Sequence, residues 1–147
     1  MKKYKKGYTQ GVYDLFHVGH LNILNAAKQY CEYLIVGINA DSLVEEYKNK
    51  KTVIREAERK LIVDNIKAVD ETVIAYTLDK VEQLQKVGFD VIFIGSDWKG
   101  NPRWENTKTE LAKYGVDVVF LPHTDGISST ELREVKDNSV NEEMVVK

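Results

Sequence analysis

The chain has 147 residues, 43% of them hydrophobic and 30% charged, and a net charge of −2. That balance suits one globular domain and excludes both a disordered chain and any global attraction to nucleic acid or anionic lipid. No apolar run approaches the ~20 residues a membrane helix needs.

The basic start "MKKYKKGYTQ" lacks the apolar core of a secretory signal. The single cysteine, Cys31, excludes an intramolecular disulfide and is read as structural or incidental. The expectation is a cytoplasmic protein with no nucleic-acid partner and no membrane contact. Residues 1–135 read as one domain, followed by a polar tail over residues 136–147.

In chain order, "KGYTQGVY" is a weak first strand, and "HVGHLNILNAAKQY" a helix with Leu21, Leu24 and Ala27 at helical spacing. "YLIVGIN" is a continuous apolar strand of the kind buried on both faces. "REAERKLIVDNIKAV" returns to helix, with Leu61, Ile62, Ile66 and Val69 on one side. "ETVIAY" is a third strand, "LDKVEQLQKVG" a helix, "DVIFIG" a fourth strand, and "RWENTKTELAKYG" a helix stopped by glycine. "VDVVFLP" is a fifth strand and "SSTELREVK" a last short helix. This alternation predicts an α/β, Rossmann-like, doubly wound fold: a mainly parallel five-stranded sheet with helices on both faces.

In such a sheet, ligands collect beyond the carboxyl ends of the strands, where helix N-termini point. His17 and His20 follow the first strand and share one face of a first helical turn. Gly19 between them lets a ligand approach the backbone. Two neutral imidazoles can donate to phosphate oxygens, and do so better as negative charge grows. Three histidines, one cysteine and unclustered carboxylates argue against a metal site built by the protein itself.

A basic run, "KNKKTVIREAERK", sets Lys48, Lys50 and Lys51 in a loop-like stretch before Arg55, Arg59 and Lys60. Such a run is ordinarily a solvated face, but here it can fold over the same sheet edge as a lid. In "LPHTDGISSTEL", Gly126 permits a turn, and Ser128, Ser129 or Thr130 can cap the last helix or, by the same geometry, cradle an anion. In "IGSDWKGNPRW", Asp97 and Trp98 offer a polar and a flat contact for a base or ribose, or simply shape the loop.

"HVGH" fits the HxGH signature of the nucleotidyltransferase superfamily, and "ISST" resembles its second signature. With "GVYDLFHVGH", "ERKLIVDNIKAVDE", "GSDW" and "HTDGISST" in this order, the span from Lys6 to Arg133 resembles the cytidylyltransferase branch, most of all the bacterial glycerol-3-phosphate cytidylyltransferase group. The resemblance implies transfer of CMP from CTP, accompanied by Mg²⁺, to a small phosphorylated acceptor by a homodimeric enzyme that releases pyrophosphate.

It implies that His17, His20, Lys48 and Lys50 are catalytic. His17, His20 and Lys50 would meet the triphosphate, with Lys48 on the acceptor's phosphate and Lys80 also reaching the acceptor. Val12, Tyr13, Gly19 and Asp97 would lie at the nucleotide, and Arg59 would anchor the neighbouring helix there. His123, Thr124, Asp125, Gly126, Ile127, Ser128, Ser129 and Thr130 would hold base, ribose and phosphates.

Three positions depart from the pattern. His123 and Lys67 stand where arginine is usual, giving up a permanent or two-pronged cation, and Asp125 replaces glutamate. These changes bear on the acceptor more than on nucleotidyl transfer. The alternatives are CTP-dependent transfer to phosphocholine, phosphoethanolamine or another phosphorylated amine or amide, an ATP-using adenylyltransferase, and a nucleotide-binding regulatory subunit without turnover. A cationic acceptor head would need an aromatic or carboxylate box, for which Tyr76, Trp98 and Trp104 are candidates.

Overall fold

The structure is a computed structural model and describes residues 2–122. Its elements alternate as β1 (Tyr4–Gly11), α1 (Val18–Lys28), β2 (Cys31–Asn39), α2 (Asp41–Lys48), α3 (Glu56–Asp64), β3 (Glu71–Ala75), α4 (Lys80–Val87), β4 (Val91–Gly95), α5 (Pro102–Ala112) and β5 (Asp117–Leu121). The strands form one five-stranded sheet in the order β3-β2-β1-β4-β5. Every neighbouring pair is parallel, so the expected mainly parallel sheet is parallel throughout.

Strand β2 shows why the chain folds this way. From Leu34 to Asn39 it is buried without a break, as a strand covered on both faces must be. Leu34, Val36 and Ile38 pack with Leu24 and Ala27 of α1 and Val63 of α3. Ile35 points the other way, into a cluster with Phe89, Ile92 and the α5 residues Trp104 and Leu111. Gly37 shares that second face, where a Cβ would stand 2.1 Å from the Tyr8 hydroxyl. The missing side chain is what lets the Tyr8 ring lie against the strand. Connections leave β1 toward β2 on one side and reach β4 on the other, so the strand order reverses at β1 and opens a crevice above the carboxyl ends.

Two expectations need correction. The helix in "REAERKLIVDNIKAV" ends at Asp64, and its buried positions are Arg59 and Val63. Leu61 and Ile62 are 62% and 40% exposed instead, and Ile66 and Val69 pack against the core from the turns that follow. Lys48 is the last residue of α2, not part of a loop; Asn49 ends that helix at φ 55°, a conformation asparagine tolerates better than most residues. The expected last helix "SSTELREVK" and the tail 136–147 lie outside the described residues. Among those described, no helix is long and apolar enough to cross a membrane.

Arg59 explains the first correction. It is fully buried, and its guanidinium donates in several directions at once: Nε to the Ile54 carbonyl at 2.8 Å, and Nη1 to the carbonyls of Val12 at 2.7 Å and Asn39 at 2.9 Å. Nη2 pairs with the Asp41 carboxylate. Burial alone would raise the Asp41 pKa, but hydrogen bonds from Arg59, the Glu56 N–H and Thr52 hold it below the usual carboxylate range.

Asp14, 1% exposed, completes the fastening. It accepts the backbone N–H groups of Val53 at 2.8 Å and Ile54 at 2.9 Å. The backbone at the far end of the expected lid is therefore pinned, while Lys50 and Lys51 at its start are exposed.

Replacing Arg59 with Met should lower the free energy of unfolding by roughly 3 kcal/mol or more, because buried acceptors and a carboxylate lose their donor together. Urea denaturation at pH 7 measures it. A loss under about 1 kcal/mol would mean the clamp is dispensable.

Candidate functional site

The loop between β1 and α1 is held in an uncommon shape. Tyr13 and Leu15 both have positive φ, 55° and 51°, without being glycine, a conformation that persists only where surroundings enforce it. The Asp14 and Arg59 contacts do so. The loop delivers the chain to His17, the N-cap of α1, at φ −139° and ψ 179°.

There the two histidines cap the helix reciprocally. His17 Nδ1 accepts the Gly19 N–H at 3.0 Å, and His20 Nδ1 accepts the His17 N–H at 3.2 Å. This is a capping box with imidazoles in place of the usual hydroxyl and carboxylate. An imidazole nitrogen that accepts carries no proton, so each neutral ring bears its hydrogen on Nε2. The rings stack at 3.8 Å between centroids, 20° apart. Tyr13 meets the His20 ring edge-on at 5.3 Å, and Phe16 lies 5.2 Å from it. Burial, then the neighbouring His17, push the His20 pKa down to about 4. The site begins with a neutral Nε2–H donor at a helix start that bears no acidic residue in its first turn.

A cleft of about 280 Å³ lies over the strand ends, lined there by Gln10, Gly11, Val12, Asn39 and Ile94. Lys48, Lys80 and Arg103 reach its wall, with Trp98 and Trp104 as flat surfaces. No carboxylate lines it among the described residues. Lys80, in the first turn of α4, donates to the Leu78 carbonyl at 2.7 Å. Its ammonium lies 5.5 Å over the Trp104 ring. Burial, then the Arg103 charge, lower its pKa to about 8.

The structure therefore brings Val12, Lys48, Lys80 and Trp98 together in one cleft. His17, Gly19 and His20 do not line it; they begin α1 at the far end of the loop whose first residue, Val12, does. Lys50 is exposed just past α2 and does not line the cleft. The Tyr13 side chain is in the core, 6% exposed, and burial drives its pKa up to about 12. Arg59 lies beneath the floor, its guanidinium engaged by protein groups, which is the anchoring geometry expected of it without an exposed surface for a ligand. Lys67 is exposed and Tyr76 is 63% exposed, and neither lines the cleft. Asp97 belongs to the 3-10 turn Ser96–Trp98. His123, Thr124, Asp125, Gly126, Ile127, Ser128, Ser129 and Thr130 lie outside the described residues.

Sequence reasoning passed over Asp14, Gln10, Asn39 and Arg103. For Arg103 there was a signal: a cation in the first turn of a helix that starts beside the strand-end loop after β4. The other three are polar residues that only their partners make informative.

The cytidylyltransferase-like family model matches residues 8–135. A glycerol-3-phosphate cytidylyltransferase of Bacillus spizizenii is 37% identical over 131 residues, covering 88% of this chain and 95% of that protein. One from Staphylococcus aureus is 30% identical over 131 residues, covering 88% and 93%. Among solved structures, a lipopolysaccharide core biosynthesis protein from Thermoplasma volcanium has a similar fold, with a TM-score of 0.72, 24% identity, and coverage of 83% of this chain and 99% of that one.

The lowered His20 pKa makes stability depend on pH in a defined window. Below pH 6.5 the unfolded chain takes up a proton that the folded chain refuses until about 4, so stability falls as pH drops through that range. Urea midpoints at pH 7 and 4.5 should differ less in His20→Gln than in the wild type. Equal differences would place the titration elsewhere.

Proposed function

The chain belongs to the cytidylyltransferase-like family, and from that membership we propose that it transfers CMP from CTP to glycerol 3-phosphate, forming CDP-glycerol and releasing pyrophosphate. The observation that carries the reading is the pairing of two mutually capped histidines with a cationic cleft at the reversal point of a parallel sheet. The relatives' shared activity and the extent of the match supply the substrates.

In the reaction, an oxygen of the acceptor's phosphate bonds to the α-phosphorus. The bond from that phosphorus to the bridging oxygen breaks, and pyrophosphate leaves with the electron pair. No protein nucleophile is needed, so catalysis rests on positioning and on stabilising charge. The Nε2–H groups of His17 and His20 donate to phosphate oxygens, and strengthen as charge accumulates there. Lys48 and Lys80 hold the acceptor's phosphate, and Lys50 meets the triphosphate from the exposed turn. Bound with the nucleotide, Mg²⁺ would neutralise part of its charge. The described lining carries Lys48, Lys80 and Arg103, cations that would meet phosphate oxygens directly rather than ligate such an ion.

The same cleft favours glycerol phosphate over an acceptor with a cationic head. Lys48, Lys80 and Arg103 would repel such a head, and the face of Trp104 already carries the Lys80 ammonium. The enzyme works in the cytoplasm as a homodimer and supplies an activated polyol unit for envelope polymers. The exposed Leu61 and Ile62 on α3 offer apolar surface to a second copy.

Pyrophosphate release should require CTP and glycerol 3-phosphate together, and fall far lower with ATP or phosphocholine. No release with any phosphorylated acceptor would eliminate the reading. His17→Ala and His20→Ala should each lower kcat about 10²-fold. Because Lys80 loses its charge near pH 8, the KM for glycerol 3-phosphate should rise as pH passes that value. In Lys80→Arg, whose guanidinium keeps its charge, the KM should stay flat.

A further inference from the structure

A chain of side-chain hydrogen bonds with a single direction runs under the cleft. Gln83 of α4, 2% exposed, donates from Nε2 to the Tyr8 hydroxyl at 2.9 Å. Tyr8 donates in turn to Gln10 Oε1 at 2.7 Å. That fixes the Gln10 amide, whose Nε2 gives its two hydrogens to Asn39 Oδ1 at 2.8 Å and the Thr77 carbonyl at 3.0 Å. With its oxygen so engaged, Asn39 turns Nδ2 outward and donates to the Tyr47 hydroxyl at 3.2 Å. No link can reverse without leaving a buried donor facing a donor.

The chain ends on a residue of the cleft wall. Tyr47 is 39% exposed, has received one hydrogen, and has its own to give. Among the described residues, none accepts it. Lys48, Lys80 and Arg103 already offer charge to anionic oxygens, which a phenol competes for poorly. An uncharged donor held in one orientation suits an uncharged oxygen.

We infer that the Tyr47 hydroxyl is a specificity-determining donor to a carbon-borne hydroxyl of the acceptor, aimed by the positioning residues Gln83, Tyr8, Gln10 and Asn39. The inference rests on the reading above and deepens it: the acceptor class is polyol phosphates, selected over alkyl phosphates of equal length. Burial raises the Tyr47 pKa, which keeps the proton available.

The test measures KM for glycerol 3-phosphate, by formation of CDP-glycerol, and the constant with which propyl phosphate, a three-carbon phosphate without hydroxyls, competes against it. Tyr47→Phe should raise the KM about 5–10-fold, leaving the propyl phosphate constant and the KM for CTP where they were. Gln83→Leu, remote from any ligand, should give the same selective rise at smaller size. A KM unchanged in Tyr47→Phe, or an equal rise for propyl phosphate, overturns the inference. A wild type inactive with CTP and glycerol 3-phosphate instead overturns the function beneath it, and the inference with it.

Discussion

Arg59 donates to the carbonyls of Val12 and Asn39, just beyond β1 and at the end of β2, and to Ile54 and Asp41 of the segments that follow. Those carbonyls sit where two parallel strands stop and no ladder partner remains for them. A buried planar cation with donors in several directions satisfies them together. The floor of the cleft, the start of α2 and the far end of the lysine-bearing turn are thereby fixed relative to one another. The functional surface depends on an interaction that does not itself face the ligand.

The histidine pair follows the same logic one loop further on. Mutual capping uses each Nδ1 on a backbone N–H, so the helix start sets the ring tautomers as well as their orientation. The structural duty falls on one nitrogen of each ring and leaves the other, Nε2, out of the capping. Neutral rings also spare the site from gathering cations that would repel one another before a polyphosphate arrives.

Much of this was legible in the sequence. Strand and helix periodicity predicted the doubly wound parallel sheet, and "HVGH" directly after a strand marked the sheet edge where the histidines stand. Failures have physical causes. Hydrophobic spacing grouped Leu61 and Ile62 with Ile66 and Val69 on one helix side because it counts arginine as solvent-seeking, whereas Arg59 is buried by the carbonyls it serves and the helix ends at Asp64. Positive φ at Tyr13 and the burial of its ring in the core are likewise invisible to spacing. Gln10, Asn39 and Gln83 have no sequence signature, since their meaning lies wholly in partners 29 and 75 positions away. The second signature, around Ser128 and Thr130, lies outside the described residues.

Gly37 carries a consequence for how this chain can change over generations. A methyl there would occupy the space of the Tyr8 phenol, so neither position can drift alone. A larger residue at 37 is admissible only with a smaller one at 8, and shrinking residue 8 discards the hydroxyl that joins α4 to Gln10. The two sites form one heritable unit, and the link between α4 and the end of β1 is inherited with it.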